Sequence, residues 1–287
     1  MAMNTIPVPS SMDGMRLDKC IQKLMPELPF KVLHESFLRR DVKLDGRRVK
    51  ADVPVFAGQT IQVYYPDQSL DKLQIVYEDE RVLLVNKKAG ISVEDDHASL
   101  VTLAHRHVQT QHPEAPCPIP CHRLDNQTSG LILLAKDDAA ASILEDVFRT
   151  RSLEKHYRCL VRGVMKPPSS VCYAYLKKNA ELGRVQIFDR EVPGARQIIT
   201  EYTALSTDGQ ISRLDVHLIT GRTHQIRAHM AALGHPLLGD DVYGDRALNR
   251  ARHVQGSLKL CAVSLCLDTG GRLPDLDGKL FQIREPF

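Results

Sequence analysis

Segments with the patterns of strands and helices alternate along this chain without the strict strand–helix–strand repeat of a parallel sheet. Apolar runs at 82–86 and 131–135 indicate buried strands, and residues 213–219 alternate like a strand with one buried face. Residues 223–234 have the spacing of a helix, which Gly234 ends. Because this order favours an antiparallel or mixed sheet, we expect an α+β fold with a mixed, largely antiparallel central sheet.

The first part of the chain predicts a smaller, separate α/β unit. A helical stripe of apolar residues begins at Leu17, and the Asp45-Gly46 pair predicts a tight turn between two short strands. The predicted boundaries are a flexible tail at 1–12, a first domain at 13–66, a linker at 67–75 and a second domain at 76–287.

Bulk composition is that of an ordinary globular protein. The 287 residues, 43% of them apolar, suffice for two domains. Seven scattered cysteines do not suit a secreted disulfide scaffold, and the N-terminus has no signal-peptide pattern. Because no apolar run approaches the roughly 20 residues of a membrane helix, we expect a cytoplasmic protein with no membrane partner. We also expect a monomer.

Basic residues are concentrated in the first predicted domain, although the net charge of the whole chain is only +3. A basic run by itself is often just a solvated face. Its concentration at one helix end and one hairpin favours nucleic-acid binding, since clustered Lys and Arg bind phosphates. The candidate RNA-contacting residues of this domain are Arg39, Arg40, Lys43, Arg47 and Arg48.

The polar segment HRLDNQTSG (122–130) lies between two apolar runs and holds one carboxylate, Asp125. An isolated loop Asp is most often a turn or cap residue. Here Arg123 and a Thr-Ser-Gly turn that begins at Thr128 lie close in sequence, and such neighbours would keep a carboxyl group ionised. An ionised carboxylate suits a nucleophile or a base better than a general acid.

Two further segments concentrate polar side chains. TGRTHQIR (220–227) puts Arg222 and Arg227 at a strand-to-helix junction, where arginine forks and a helix N-terminus bind anions, although solvated surface arginines would look the same. EKHYRCLVRG (154–163) carries Tyr157, which either fills the core or stacks on a base.

The sequence predicts neither a metal nor a cofactor. Cys117 and Cys121 lie near several histidines, but no second pair of ligands completes a zinc site. The glycine-rich nucleotide-binding loops and the G-x-S-x-G hydrolase motif are also absent from the sequence.

These segments, in order, resemble the motifs of RluA-type pseudouridine synthases. HRLDNQTSGLILLAK is similar to their H-R-L-D-x-x-T-S-G motif, EKHYRCLVRG to their K-x-Y strand and TGRTHQIR to their T-G-R-x-H-Q-I-R helix. VNKKAGISVEDD resembles their N-K-P-A-G strand, with Lys88 in place of Pro, and LKLCA has Cys261 in place of the usual His. The first domain is similar to an S-four-type RNA-binding domain.

The resemblance implies a pseudouridine synthase fold and the cofactor-free isomerisation of uridine in structured RNA. Large-subunit ribosomal RNA is the expected target. One alternative is a pseudouridine synthase that acts on transfer RNA, and another is an RNA-binding or ribosome-assembly factor without catalysis. A metal-dependent hydrolase is less favoured, because the sequence lacks a complete set of metal ligands.

The resemblance also implies roles for single residues. Asp125 is expected to be the essential carboxylate, which either attacks the ribose or removes a ribose proton. Arg227 is expected to be its ion-pair partner. Tyr157 is expected to stack on the uracil and then to assist removal of the proton from C5, although a phenol is a poor base at pH 7. Arg123 is expected to fill the space that the flipped nucleotide leaves. The remaining residues expected to contact RNA in this domain are Thr128, Arg222, His224 and Leu260.

Overall fold

The computed structural model describes residues 2–25, 28, 30–65, 73–94, 99–179 and 183–287. The chain divides into two compact units, one formed by residues 1–73 and 94–107 and the other by residues 74–93 and 108–287. The predicted second domain at 76–287 differs from the second unit, because residues 94–107 group with the first. Most of the predicted linker at 67–75 lies outside the described residues, which stop at 65 and resume at 73.

The first unit contains a four-stranded antiparallel sheet, in the order β1-β4-β2-β3. Its elements are β1 (Ala2–Pro7), α1 (Leu17–Leu24), α2 (Phe30–Leu38), β2 (Val42–Leu44), β3 (Arg47–Arg48) and β4 (Thr60–Tyr65). Leu17 and Ile21 of α1 are buried in one core with Ile61 of β4. Asp45 and Gly46 have φ angles of 46° and 78°, so the predicted tight turn joins β2 to β3.

The prediction of a flexible tail at residues 1–12 is wrong for the described residues. Ala2–Pro7 form β1, which pairs with β4 along its whole length, and Ser10–Met12 form a turn of 3₁₀ helix. Val8 is buried, and Ile6 packs against the same core. The edge of β4 supplies hydrogen-bond partners for this segment, and a local sequence pattern does not reveal partners so far along the chain.

The second unit contains a sheet of eleven strands. Its strands are β5 (Ile75–Glu78), β6 (Val82–Lys87), β7 (Ile119–Pro120), β8 (Ser129–Ala135), β9 (Leu153–Arg162), β10 (Ser169–Asn179), β11 (Arg184–Phe188), β12 (Arg196–Thr207), β13 (Ile211–Leu218), β14 (Leu260–Leu267) and β15 (Leu280–Gln282). The main order is β11-β10-β12-β13-β9-β14-β8-β6-β5, while β15 pairs with β14 and β7 with β8. Among the described strand pairs only β8 with β14 is parallel, which confirms the predicted mixed, largely antiparallel sheet.

Four helices complete the described elements, namely α3 (Leu100–Gln111), α4 (Asp138–Thr150), α5 (Gln225–Ala232) and α6 (Arg246–Ala251). Asp137 caps α4 by accepting a hydrogen bond from the backbone nitrogen of Ala140 at 2.7 Å. Leu144 and Val147 of α4 are buried in one cluster with Leu133 of β8. Burying such a side chain contributes about 1.5–3 kcal/mol, so this apolar face holds α4 on the sheet. No described helix is both long and apolar enough to span a bilayer.

Strands β8 and β14 approach each other closely where the 122–130 segment ends. Gly130 has a φ angle of 117°, and a Cβ atom built there would lie 2.2 Å from the backbone oxygen of Ala262. Any larger residue would clash with this strand. Ala262 pairs on its other side with Tyr157 of β9. The HRLDNQTSG segment and the strand that carries Tyr157 are therefore separated by one strand only.

Candidate active site

Asp125 lies in the loop between β7 and β8, with its side chain 22% exposed. The backbone oxygen of Asp125 accepts a hydrogen bond from the nitrogen of Thr128 at 3.0 Å, which closes a turn. Its Oδ2 atom accepts a hydrogen bond from Nη1 of Arg227 at 3.1 Å. The structure thus brings together two residues from motifs that lie 102 positions apart in sequence.

Arg227, on α5, is held from its other side by Asp240. The Nε and Nη2 atoms of Arg227 donate to the two carboxylate oxygens of Asp240, at 2.7 and 3.0 Å. Backbone nitrogens of Val242 and Tyr243 donate to Oδ1 of Asp240 at 2.8 and 3.0 Å. This fork leaves Nη1 as the nitrogen that is directed at Asp125.

The ion pair between Arg227 and Asp240 is buried, and burial affects the pKa values of both groups. The side chain of Asp240 is 0% exposed and that of Arg227 is 7% exposed. Burial alone would raise the pKa of Asp240, but Arg227 and the backbone N–H groups lower that pKa below its usual value. Burial would likewise lower the pKa of Arg227, but the two carboxylates raise it. The ion pair therefore stays charged.

His224 and Tyr243 complete the surroundings of the carboxylate. The Nε2 atom of His224 lies 3.8 Å from Oδ2 of Asp125, and its Nδ1 atom lies 2.9 Å from the hydroxyl of Tyr243. That hydroxyl accepts a hydrogen bond from the backbone of Val185, and the ring lies 5.3 Å from the guanidinium carbon of Arg227. Burial lowers the pKa of His224 although Asp125 is near, so the imidazole is neutral at pH 7.

Tyr157 is 6% exposed on β9, where it pairs with Val216 on one side and Ala262 on the other. Burial raises the pKa of its phenol, and the charge of Asp125 raises that pKa further. Only β14 separates β9 from β8, the strand that follows the Asp125 loop. Tyr157 is therefore a neutral phenol at pH 7 beside the carboxylate.

Lys87 is a buried residue of the site that the sequence did not single out. Its Nζ atom donates to the backbone oxygens of Lys88, Ile91 and Asn126, at 3.1, 2.8 and 2.9 Å. Burial lowers the pKa of Lys87 to about 8, against the opposing charge of Asp125. These bonds tie the segment after β6 to Asn126, the residue next to Asp125.

Asp240 is a second site residue that the sequence patterns did not identify. The available signal was a carboxylate that follows a buried Leu-Leu-Gly run and lies 13 residues beyond Arg227. Nothing local marks it as the partner of an arginine, because the DDVYG segment also has the composition of an ordinary turn.

The other residues predicted to bind RNA have different surroundings. Arg123 and Arg222 are exposed. Thr128 and Leu260 are 2% and 3% exposed, and their contact with RNA stays a prediction. In the first unit, the basic residues cluster at the end of α2 and on the β2–β3 hairpin. Arg39, Arg40, Arg47 and Arg48 are exposed, and Lys43 lies 5.1 Å from the centre of the Tyr64 ring.

Comparison with known proteins agrees with this geometry. The family model for RNA pseudouridylate synthase matches residues 81–232. Ribosomal large subunit pseudouridine synthase C of Vibrio vulnificus is 30% identical over 278 residues, which cover 91% of this chain and 87% of that protein. Ribosomal large subunit pseudouridine synthase D of Xylella fastidiosa is 31% identical over 269 residues, covering 88% and 75% respectively.

A solved structure shows the same fold. Human RNA Pseudouridylate Synthase Domain Containing 4 superposes with a TM-score of 0.62 at 24% identity, over 74% of this chain and 88% of that one. The chain belongs to the RNA pseudouridine synthase family, in agreement with the RluA-type motifs. It is therefore an isomerase that acts on RNA and converts uridine to pseudouridine.

Proposed function

We propose that this enzyme modifies uridine in large-subunit ribosomal RNA, with Asp125 as its essential carboxylate. The observation that carries the proposal is the ion pair between Asp125 and Arg227, with Arg227 locked in turn by the buried Asp240. The names of the Vibrio and Xylella relatives support ribosomal RNA as the target. We also propose that the protein works as a monomer in the cytoplasm.

The reaction breaks the bond from uracil N1 to the ribose C1′ and forms a bond from C5 to C1′. The hydrogen on C5 is released as a proton, so no electrons are gained or lost. Asp125 either attacks C1′ or removes a ribose proton, and both steps need an ionised carboxylate. Arg227 aims the carboxylate by fixing Oδ2 through its hydrogen bond.

Tyr157 contacts the uracil in this proposal, as a ring that stacks on the base. Its raised pKa leaves little phenolate at pH 7, so the phenol acts as a neutral partner and not as a free base. The neutral imidazole of His224, with Nε2 3.8 Å from Asp125, is a second uncharged group beside the reacting atoms.

The uridine must leave the RNA helix to reach Asp125, because its glycosidic bond is inaccessible while the base is stacked. We propose that exposed Arg123 occupies the vacated space and that exposed Arg222 binds a phosphate. The first unit is proposed to be an S-four-type RNA-binding domain. Its candidate contacts are Arg39, Arg40, Lys43, Arg47 and Arg48.

Tritium release tests the catalytic role of Asp125. RNA labelled with tritium at uracil C5 loses the label when C5 bonds to the ribose. We expect release from ribosomal RNA by the wild-type protein, and a loss of at least about 1,000-fold in Asp125→Asn, which keeps the shape of the side chain but removes its charge. Asp146→Asn is the matched control, because Asp146 also pairs with arginines, Arg149 and Arg272.

The outcomes separate the alternatives. Release from transfer RNA but not from ribosomal RNA would move the target to transfer RNA. Wild-type protein that binds ribosomal RNA without releasing tritium from either RNA would indicate a binding factor without catalysis. Unchanged release by Asp125→Asn would remove Asp125 from the mechanism.

A further inference from the structure

Lys155 and His122 meet at the ring of Phe148, close to the candidate active site. The Nζ atom of Lys155 lies 5.1 Å from the centre of the Phe148 ring, and the His122 ring stacks on Phe148 with centroids 4.7 Å apart. Gly221 borders the same ammonium, because a Cβ atom built there would lie 3.8 Å from Nζ. These four residues are called the Lys155 cluster below.

The protonation of His122 follows from its hydrogen bond. The backbone nitrogen of Leu133 donates to Nε2 of His122 at 3.2 Å, which requires a lone pair on Nε2. Burial and, to a smaller extent, the charge of Lys155 lower the pKa of His122 to about 3, so the ring is neutral. Its single ring proton is therefore on Nδ1. Within the described part of the chain, this buried Nδ1 has no hydrogen-bond partner.

Lys155 also lacks an acceptor among the described residues, where its ammonium lies over the Phe148 ring and near Gly221. The side chain is half-buried, and burial lowers its pKa to about 8, so the amine is mostly charged at pH 7. Lys87 shows the contrast, since its buried amine donates to three backbone oxygens. Among the described residues, the Lys155 cluster thus holds one buried donor without a partner, Nδ1 of His122, and one half-buried ammonium without a protein acceptor, and both side chains lie against the Phe148 ring.

The cluster lies beside the residues that are proposed to handle the uridine. Lys155 and Tyr157 point to the same face of β9, because alternate residues of a strand do so. They are about 7 Å apart along the strand. His122 directly precedes Arg123, and Gly221 directly precedes Arg222. All three motif segments of the active site therefore contribute a residue to the Lys155 cluster.

We propose that Lys155 binds a backbone phosphate of the RNA substrate next to the target uridine, with the Nδ1–H of His122 as the second donor of this subsite. The proposal rests on the proposed function. A charged ammonium and an N–H group both suit a negatively charged acceptor, and the backbone phosphate is the group of RNA that accepts hydrogen bonds and carries negative charge. A phosphate held there positions the substrate strand while Asp125 acts on the ribose.

Lys155→Met tests this subsite, because it keeps the length of the side chain and removes the charge. We expect the KM for ribosomal RNA to rise about 10-fold and kcat to change less than about 3-fold. The slope of log Kd against log salt concentration should become shallower by about 0.7–0.9. Lys155→Arg should return KM to within about 3-fold of wild type. Tritium release and filter binding at several salt concentrations measure these quantities.

Thermal unfolding separates binding from a structural role. Lys155 holds no acceptor within the described part of the chain, so Lys155→Met should have a Tm equal to or above that of the wild-type protein. Lys279→Met is the matched control, since Lys279 also lies over an aromatic ring, 4.0 Å from the centre of Tyr77 on β5. Strand β5 is four strands from β9 in the sheet, so this control should leave KM and the salt slope unchanged.

An active Lys155→Met enzyme with unchanged KM and salt slope would overturn the subsite alone, and an internal water would then be the partner of the two donors. An equal change in Lys279→Met, or a large drop in Tm of Lys155→Met, would also overturn it. Wild-type protein that releases no tritium would overturn the proposed function instead, and with it the RNA ligand of the subsite.

Discussion

Arg227 lies between the carboxylates of Asp125 and Asp240, which differ in solvent exposure. This difference gives the two carboxylates different roles. Asp240 is completely buried and makes two hydrogen bonds to the guanidinium, whereas Asp125 is 22% exposed and makes one. The buried carboxylate of Asp240 fixes the orientation of the Arg227 guanidinium, and the carboxylate of Asp125 remains accessible to a substrate. A guanidinium is suited to this position because its donors lie in a rigid plane.

Asp240→Asn should therefore impair both stability and catalysis. Removing one partner of a buried ion pair costs about 3–5 kcal/mol, and Arg227 would lose the fork that directs Nη1 at Asp125. We expect the free energy of unfolding to fall by that amount and kcat to fall more than about 10-fold, measured by urea denaturation and by tritium release at saturating RNA.

Asp215→Asn is the matched control for this change. Asp215 pairs with Arg158 and His156, and the side chains of all three residues are partly exposed. Its loss should cost about 1 kcal/mol or less and leave kcat unchanged. If folded Asp240→Asn protein kept the wild-type kcat, the two hydrogen bonds from Arg227 to Asp240 would not be required to orient Arg227 for catalysis.

At the scale of elements, the parallel pairing of β8 with β14 is what assembles the site. Gly130 allows β8 to approach Ala262, and Ala262 pairs with Tyr157. The HRLDNQTSG loop is thereby anchored at its end, while Lys87 anchors the residue after Asp125 from the other side. Two elements that are distant in sequence thus restrain one short loop.

Gly130→Ala should destabilise the second unit for two reasons, since its φ angle is 117° and the new Cβ would lie 2.2 Å from Ala262. We expect a loss of more than about 3 kcal/mol, together with loss of tritium release. Gly270→Ala separates the two causes, because Gly270 has a φ angle of 64° and no atom within 4 Å of a built Cβ. It should cost about 1 kcal/mol, and equal losses in the two variants would show that close approach does not matter.

At the scale of the whole molecule, the candidate active site and one exposed basic set belong to different units. The second unit holds Asp125, Arg227 and Asp240, whereas the exposed basic set of α2 and the β2–β3 hairpin belongs to the first unit. The net charge of +3 does not reveal this separation. The RNA binding proposed for the first unit can therefore be tested by substitutions that leave the candidate active site unchanged.

Replacing Arg39, Arg40 and Arg47 with Ala should weaken binding to ribosomal RNA. Three lost phosphate contacts would make the slope of log Kd against log salt shallower by about 2–3, while kcat at saturating RNA should stay at the wild-type value. The matched control replaces the same residues with Lys, which retains the charges and should retain most of the affinity. An affinity that does not change in the Ala variant would show that the first unit is not an RNA-binding arm.

Local patterns in the sequence determined the helices from Leu17 and in α5, the Asp45-Gly46 turn and the mixed sheet, because these depend on periodicity and turn chemistry over a few residues. The resemblance to the family motifs pointed to Asp125 and Arg227. The tertiary structure alone decided that residues 2–7 pair with β4, that Asp240 locks Arg227, and that Lys155 lies without an acceptor in the described chain. These features depend on burial and on contacts between residues far apart in sequence, and a local pattern contains neither.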